Sequence, residues 1–202
     1  MKCESLLSPF KERPILFNGE MIRAILEGRK TQTRRVIKPQ PDFYVESCYP
    51  AGTENPPIWW DFWGEDINKR IKCPYVSSNR LWVRETWYRQ FGGSEIVYRA
   101  DGEQGIHKWD SPLFMLRKFS RITLEITGVR VERVQDISED DCDKEIFGGD
   151  FPHNVIPDYG FHGGMSIQEC FAVIWDFLNA KRGYGWNVNP WVWVIEFKRV
   201  ET

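Results

Sequence analysis

The segment that most constrains the fold is the apolar run near the end of the chain, Trp191 to Lys198. Aromatic and β-branched residues fill it, and this composition strongly predicts a β-strand. Arg121 to Val134 alternates apolar and polar residues and predicts another strand, with a turn or bulge at Gly128. Leu81 to Tyr88 and Glu95 to Ala100 predict two more.

Three other segments have helical patterns. Glu20 to Glu27 carries an apolar stripe at the spacing of a buried helix face, with Asn18 as its cap and Gly28 at its end. A second helix begins at Ser138, and a third opens with the capping box Ser166 to Glu169. Strands dominate and helices punctuate them, so the sequence predicts an α+β fold with a mixed or barrel-like sheet.

The length of 202 residues suits one domain. We interpret residues 1–202 as a single domain with loop-rich insertions at about 42–79 and 148–164, where proline and glycine accumulate. The first insertion contains a tryptophan cluster, which is either a base-stacking lid or a small satellite core. That cluster consists of Trp59, Trp60 and Trp63.

Composition excludes several classes of function. The 27 cations and 29 acids balance, so the chain is not a generally basic nucleic-acid-binding protein. Five dispersed cysteines and three histidines show no metal-ligand spacing, and we expect no metal and no organic cofactor. Reduced thiols, the lack of a signal-peptide pattern and the lack of a ~20-residue apolar run together predict a cytoplasmic protein with no membrane partner.

Charge is nevertheless segregated along the chain. Residues 28–35 read GRKTQTRR and present four cations and two hydroxyls immediately after the first helix. We expect this octet to form a loop that contributes little to a core and suits binding an anion or a polar base, or activating a hydroxyl. Residues 136–145 carry six acids, most of which the first turn of a helix explains. The helix dipole does not account for Glu145, which comes later in that helix.

Four segments in this order resemble the ASCH domain, a PUA-like β-barrel family associated with RNA. They are Gly28 to Thr31, Leu81 to Glu85, Ile126 to Glu145 and Trp193 to Lys198. The chain is most similar to the longer ASCH proteins of bacteriophages and prophages, in which RPILF, GRKTQTRRV, LWVRETW and NPWVWVIEFKR recur nearly as written here. The resemblance implies a mixed β-barrel with flanking helices.

One departure from the family pattern refines the expected activity. The ASCH signature is G-x-K-x-x-E-x-R, and Gly28, Lys30 and Arg35 fit it, whereas Thr33 stands where glutamate is usual. The stretch thereby resembles small bacterial amidohydrolases that remove the acetyl group from N4-acetylcytidine. Their catalytic lysine and threonine fall on Lys30 and Thr33, and their catalytic glutamate falls on Glu145 in an ungapped alignment.

The implied chemistry is physically reasonable. A threonine hydroxyl is inert near neutral pH unless a neighbour takes its proton, and a lysine can do so only if burial or nearby cations lower its pKa. Three roles stay open for Glu145, namely binding the amine edge of the base, orienting Lys30, and acting as the base itself. We expect the substrate or nucleic acid to be contacted by Arg29, Arg34, Arg35, Arg84 and Glu85.

The alternative is a non-catalytic module that binds RNA, single-stranded nucleic acid or a modified base. In that interpretation Lys30 and Arg35 contact a phosphate, Thr33 caps a turn, and Glu145 is a surface residue of an acidic helix. Arg84 and Glu85 stand within a mostly buried strand, where charged residues are usually paired or at an edge. Both interpretations place the site in one cleft, lined by residues 28–35 and approached by Glu145.

Overall fold

The computed structural model describes residues 11–41, 59–61, 70–77, 79–89, 95–102, 108–146 and 164–200. Its main element is a five-stranded sheet with the order β1-β5-β8-β9-β2. Two small two-stranded sheets pair β3 with β4 and β6 with β7. The strands are β1 Glu12–Leu16, β2 Gln32–Val36, β3 Trp59–Asp61, β4 Arg70–Lys72, β5 Arg80–Arg84, β6 Trp87–Arg89, β7 Ile96–Tyr98, β8 Thr123–Arg133 and β9 Trp191–Val200.

The sheet is mixed, as predicted, but open. β1 pairs with β5 in parallel, and the other neighbours in the sheet are antiparallel. β9, the predicted terminal strand, lies between β8 and β2 rather than at an edge. β1 and β2 are the two edges, and no ladder joins them among the described residues. The structure therefore confirms a mixed α+β fold and shows no closed barrel. The predicted irregularity at Gly128 is present, because the β8–β9 register shifts between Ile126 and Gly128.

In the described part of the chain, three α-helices accompany the sheet, and local hydrogen bonds and backbone conformation determine their ends. They are α1 Gly19–Leu26, α2 Glu139–Ile146 and α3 Ile167–Asn179. The Asn18 side chain accepts the Met21 N–H at the start of α1, and Gly28 follows the helix at φ 76°, which glycine adopts without strain. Ser166 and Glu169 form the predicted capping box at the start of α3. None of the helices in the described ranges is long and apolar enough to cross a membrane.

Side chains from the two faces of the sheet enter different hydrophobic clusters. Ile195 faces a cluster that includes Ile22 of α1, whereas Val194 faces a cluster that includes Phe171 of α3. This alternation is the two-residue period of a strand covered on both sides. Cys73, which follows β4 in the first predicted insertion, is also buried in the α1-side cluster. The tryptophan-cluster hypothesis and the second insertion lie outside the described side chains.

Two sequence predictions about local structure are wrong. The octet after α1 is not a loop, since Gln32 onward forms β2, and it does contribute to the interior. Lys30, Gln32, Thr33 and Arg34 are each no more than 2% exposed. The predicted strand Leu81 to Tyr88 is two strands, because the chain leaves the main sheet at Glu85 and continues as β6, which pairs with β7.

Candidate active site at the open edge of the sheet

The outer edge of β2 is the structural centre of the candidate site. The Thr31 carbonyl accepts from Phe197 N–H and the Ile37 N–H donates to the Trp191 carbonyl, so odd-numbered residues face β9. In an antiparallel ladder the even-numbered residues then turn their N–H and C=O groups to the open edge. Buried backbone groups at such an edge need partners from elsewhere in the chain.

Lys30 and Glu145 provide those partners. The Lys30 ammonium or amine group donates to the Gln32 carbonyl over 2.8 Å and to the Glu145 backbone carbonyl. The Arg34 N–H donates to the Glu145 carboxylate over 2.5 Å. The last turn of α2 therefore covers the β2 edge, and Glu145 contacts it through both its backbone and its side chain.

Lys30 has the environment that a lysine base requires. Its side chain is 2% exposed, and burial lowers its pKa from 10.5 to about 7. The Glu145 charge opposes this effect, whereas the nearby charges of Arg35 and Arg34 add to it. The Lys30 Nζ also lies 5.8 Å from the centre of the Phe17 ring. Near pH 7 a large fraction of this side chain is a neutral amine with a lone pair.

Arg34 holds the carboxylate of Glu145. One guanidinium nitrogen donates to Glu145, while Nε donates to Glu132 over 2.8 Å and Nη2 contacts Asp141 at 3.2 Å. Burial alone would lower the pKa of Arg34, but Glu145 and Glu132 outweigh it and raise the pKa above its usual value. Arg130 also pairs with Glu132 and Asp141, which extends the network towards solvent. Arg34 is thus an internal counterion, and Glu145 is buried rather than at the surface, where the binding alternative placed it.

A cavity of about 740 Å³ opens between the two sheet edges, β1 and β2, and reaches α3. The Arg35 side chain spans this gap by donating to the Leu16 carbonyl over 2.8 Å. Aromatic and aliphatic residues of α3, among them Phe171 and Trp175, form the apolar wall. The polar and charged residues on the wall are Asn18, Thr33, Arg34, Arg35, Lys38, Tyr75, Arg84, Thr86, Glu145, Asn179, Arg182 and Tyr184. A volume of this size is typical of small-molecule sites.

The cavity brings most of the predicted site residues together. Thr33, Arg34, Arg35, Arg84 and Glu145 line it. Lys30 is absent from the lining but is adjacent to it, since Phe17, whose ring it approaches, forms part of the wall.

Two predicted substrate contacts lie elsewhere. Arg29 pairs with Glu27 outside the cavity, with a 2.7 Å hydrogen bond from its Nε. Glu85 is 2% exposed and accepts two 3.0 Å hydrogen bonds from Arg121, while burial raises its pKa. Neither Arg29 nor Glu85 lines the cavity. For Glu85 this favours the interpretation as a charge paired within the fold.

Sequence reasoning did not find Glu132, Asp141 or Arg182. Glu132 lies on β8 among alternating residues, and its position there is that of an ordinary solvent-facing acid. The helix dipole accounts for an acid at position 141, but the Asp141 carboxylate also accepts a hydrogen bond from the Arg130 guanidinium. Arg182 follows α3 in a short turn, with no motif around it. Only the sheet order places these groups beside β2.

No family model matches the chain, and neither the characterised proteins nor the solved structures include a significantly similar one.

Proposed function

We propose that the chain is an ASCH-type amidohydrolase that removes the acyl group from an N4-acylated, cytidine-like nucleoside. The proposal includes membership of the PUA-like superfamily, in which the open sheet would be the curved sheet of the fold. It also includes an origin among the longer phage and prophage ASCH proteins. It rests on the Lys30, Thr33 and Glu145 set and on the chemistry of their surroundings.

The observation that carries the proposal is the state of Lys30. Burial brings its pKa to about 7, which is where a general base works best near neutral pH. A lysine that served only to attract phosphate would be expected to stay exposed and charged. Thr33 is on the cavity wall three residues later, and is 1% exposed. The Lys30 Nζ donates to the carbonyl of Gln32, the residue before Thr33, and we assign the two side chains as a base and a nucleophile on that basis.

The proposed reaction proceeds in two stages. The Lys30 amine takes the proton of the Thr33 hydroxyl as its oxygen attacks the acyl carbonyl, and the resulting ammonium returns that proton to the departing N4 amine. Water then attacks the acyl-threonine ester. Lys30 takes a proton from this water and returns it to the Thr33 oxygen, which releases the carboxylic acid. Both stages begin and end with a neutral Lys30.

Glu145 has a defined part in this scheme. Its carboxylate accepts two hydrogen bonds from Arg34 and its backbone carbonyl accepts one from Lys30. Glu145 also lines the cavity, and a remaining lone pair of its carboxylate is suited to accept from the exocyclic N4–H of the base. We therefore assign proton transfer to Lys30, and orientation of Lys30 and recognition of the amine edge to Glu145.

Turnover of N4-acetylcytidine to cytidine, followed by chromatography, tests this function. We expect Thr33→Ala and Lys30→Met each to lower kcat/KM roughly 100- to 10,000-fold. Thr31→Ala is the matched control, because Thr31 is exposed and does not line the cavity. No hydrolysis of any N4-acyl pyrimidine by the wild type at high enzyme concentration would refute the proposal.

The structure also favours one form of the alternative, a module that binds a modified base without hydrolysis. Lys30 and Glu145 satisfy the backbone of the β2 edge, so their burial has a structural reason independent of chemistry. In that case Arg35, rather than the carboxylate-bound Arg34, is the residue through which nucleic acid binds. Salt-dependent binding that is lost in Arg35→Gln, with unchanged ligand recovered, would support the module over the enzyme.

A further inference from the structure

Three arginines on the cavity wall have no carboxylate partner among the described residues. Arg35 belongs to β2, Arg84 ends β5, and Arg182 lies in the turn Ala180–Arg182 after α3. Their situation contrasts with that of Arg34, which contacts three carboxylates. A protein that pairs one cavity arginine so fully and leaves three others without an acid has a cavity with excess positive charge.

Arg84 provides the first specific indication of a ligand. Its guanidinium lies over the Trp82 ring at 4.7 Å, which fixes the plane of the group. Its Nε is buried and has no hydrogen-bond partner within the described part of the chain. A buried N–H of this kind costs free energy unless something accepts from it. Arg84 lines the cavity, so its guanidinium belongs to the wall that a bound anion would meet.

Arg35 and Arg182 provide the second indication. Among the described residues, the Arg35 guanidinium donates to two backbone carbonyls, those of Leu16 at 2.8 Å and Arg34 at 3.4 Å, and to no carboxylate. Burial lowers the pKa of Arg35, Tyr75 and Glu145 oppose this effect, and the charge of Arg182 adds to it. Two cations that repel one another across a cavity are stabilised when an anion lies between them.

We propose that Arg35, Arg84 and Arg182 form a subsite for the phosphate monoester of a nucleotide. The inference rests on the proposed function and specifies its substrate as an N4-acylated nucleoside monophosphate rather than a free nucleoside. Planar guanidinium groups bind phosphate oxygens in bidentate fashion. The phosphate anchors the ligand, and the base then lies towards Thr33 and Glu145, which are on the same wall.

The shape and charge of the site favour a mononucleotide over a strand. The cavity of about 740 Å³ is within the range of small-molecule sites, and all three arginines are on its wall. Strand-binding proteins instead have an extended basic groove. Here the helix that supplies Glu145 begins with Glu139 and Asp140, two exposed acids that disfavour a phosphodiester backbone along this helix.

Calorimetric titration of the full chain with cytidine 5′-monophosphate, cytidine and inorganic phosphate tests the subsite. We expect the monophosphate to bind about ten- to hundred-fold more tightly than cytidine, as one or two charge-assisted contacts provide. In Arg84→Gln and Arg182→Gln this preference shrinks, while the cytidine affinity changes little. Both substitutions leave no described carboxylate unpaired, and Arg182 is exposed, so the variants retain the fold. Arg117→Gln is the control, since Arg117 pairs with Glu12 outside the cavity.

These experiments distinguish a failure of the phosphate subsite from a failure of the proposed hydrolysis. Equal affinities of the wild type for the monophosphate and cytidine would overturn the subsite, as would a preference that persists in both cavity variants. A single-stranded cytidine oligonucleotide that binds far more tightly than the monophosphate would also overturn it, because the site would then recognise a phosphodiester. Absence of deacylation with intact monophosphate preference refutes the proposed function and leaves the phosphate subsite standing.

Discussion

Lys30 makes the stability of this protein depend on pH in a way that can be measured. Its pKa is about 7 in the folded chain and 10.5 for an ordinary lysine. Between these values the unfolded chain binds more protons than the folded one, so the free energy of unfolding rises with pH. The contribution is complete above the unfolded pKa and is lost as pH falls through the folded pKa.

The magnitude follows from the size of the pKa difference. A shift of one pKa unit corresponds to ~1.4 kcal/mol. The free energy of unfolding is therefore lower by about 5 kcal/mol when Lys30 is protonated than when it is a neutral amine. Within the accessible range from pH 7 to pH 9, the same two pKa values give a gain of about 2 kcal/mol. Cys142 acts in the opposite direction at higher pH, because burial raises its pKa to about 12.

Lys30→Met isolates this contribution. The variant leaves the Gln32 and Glu145 carbonyls without a donor, which is a cost that does not vary with pH. Subtracting the two stability curves cancels Cys142 and the other titrating groups, and leaves the slope due to Lys30. Urea unfolding followed by tryptophan fluorescence at several pH values supplies both curves. Lys144→Met, which removes an ammonium group 53% exposed on α2, controls for the change in net charge.

If the difference in unfolding free energy between the wild type and Lys30→Met does not change from pH 7 to pH 9, this reasoning is refuted. Such a result would mean that Lys30 remains an ammonium group in the fold, with its charge stabilised by the surrounding carbonyls and Glu145. The assignment of Lys30 as the base would then fail as well, because an ammonium group cannot accept a proton.

Other substitutions test the packing and polar network of the fold by urea unfolding. Arg34→Met removes the counterion of three acids, and we expect the free energy of unfolding to fall by ~3–5 kcal/mol. A decrease below ~1 kcal/mol would contradict this role of Arg34. Ile22→Ala empties a fully buried position and should cost about 2–5 kcal/mol. Ser166→Ala removes the α3 cap and should cost ~1 kcal/mol. In Gly128→Ala the new methyl meets the Glu196 carboxylate at 2.7 Å, but that flexible side chain can move, so we expect a change under ~1 kcal/mol.

The helices and several strands were predictable because their signals are local. Asn18 and Gly28 delimit α1 by hydrogen bonding and backbone conformation within a few residues, and Ser166 does the same for α3. The bulge near Gly128 follows equally from an interrupted alternation. These features needed no knowledge of the remainder of the chain.

The octet was misinterpreted because its partners are distant in sequence. A run of cations and hydroxyls resembles a solvated loop unless acids compensate it, and those acids come from β8 and α2, about a hundred residues later. Arg34 is buried only because Glu132 and Glu145 arrive beside it through the sheet order. Thr33 and Lys30 were identified by resemblance to a family, and their burial could not be inferred from their immediate neighbours.

The hydrogen bonds around Lys30 connect its structural role with its proposed chemical one. Its nitrogen has two described acceptors, the carbonyls of Gln32 and Glu145. A neutral amine has two N–H donors and matches them, which leaves its lone pair for the proton of the Thr33 hydroxyl, whereas an ammonium group has a third donor to satisfy. The Phe17 ring at 5.8 Å compensates such a charge less well than water does. The same deprotonation therefore completes the β2 edge and creates the base, so kcat/KM should rise with a midpoint near pH 7, where the free energy of unfolding also begins to rise. A kcat/KM midpoint far from the pH at which stability begins to rise would show that a group other than Lys30 limits the reaction.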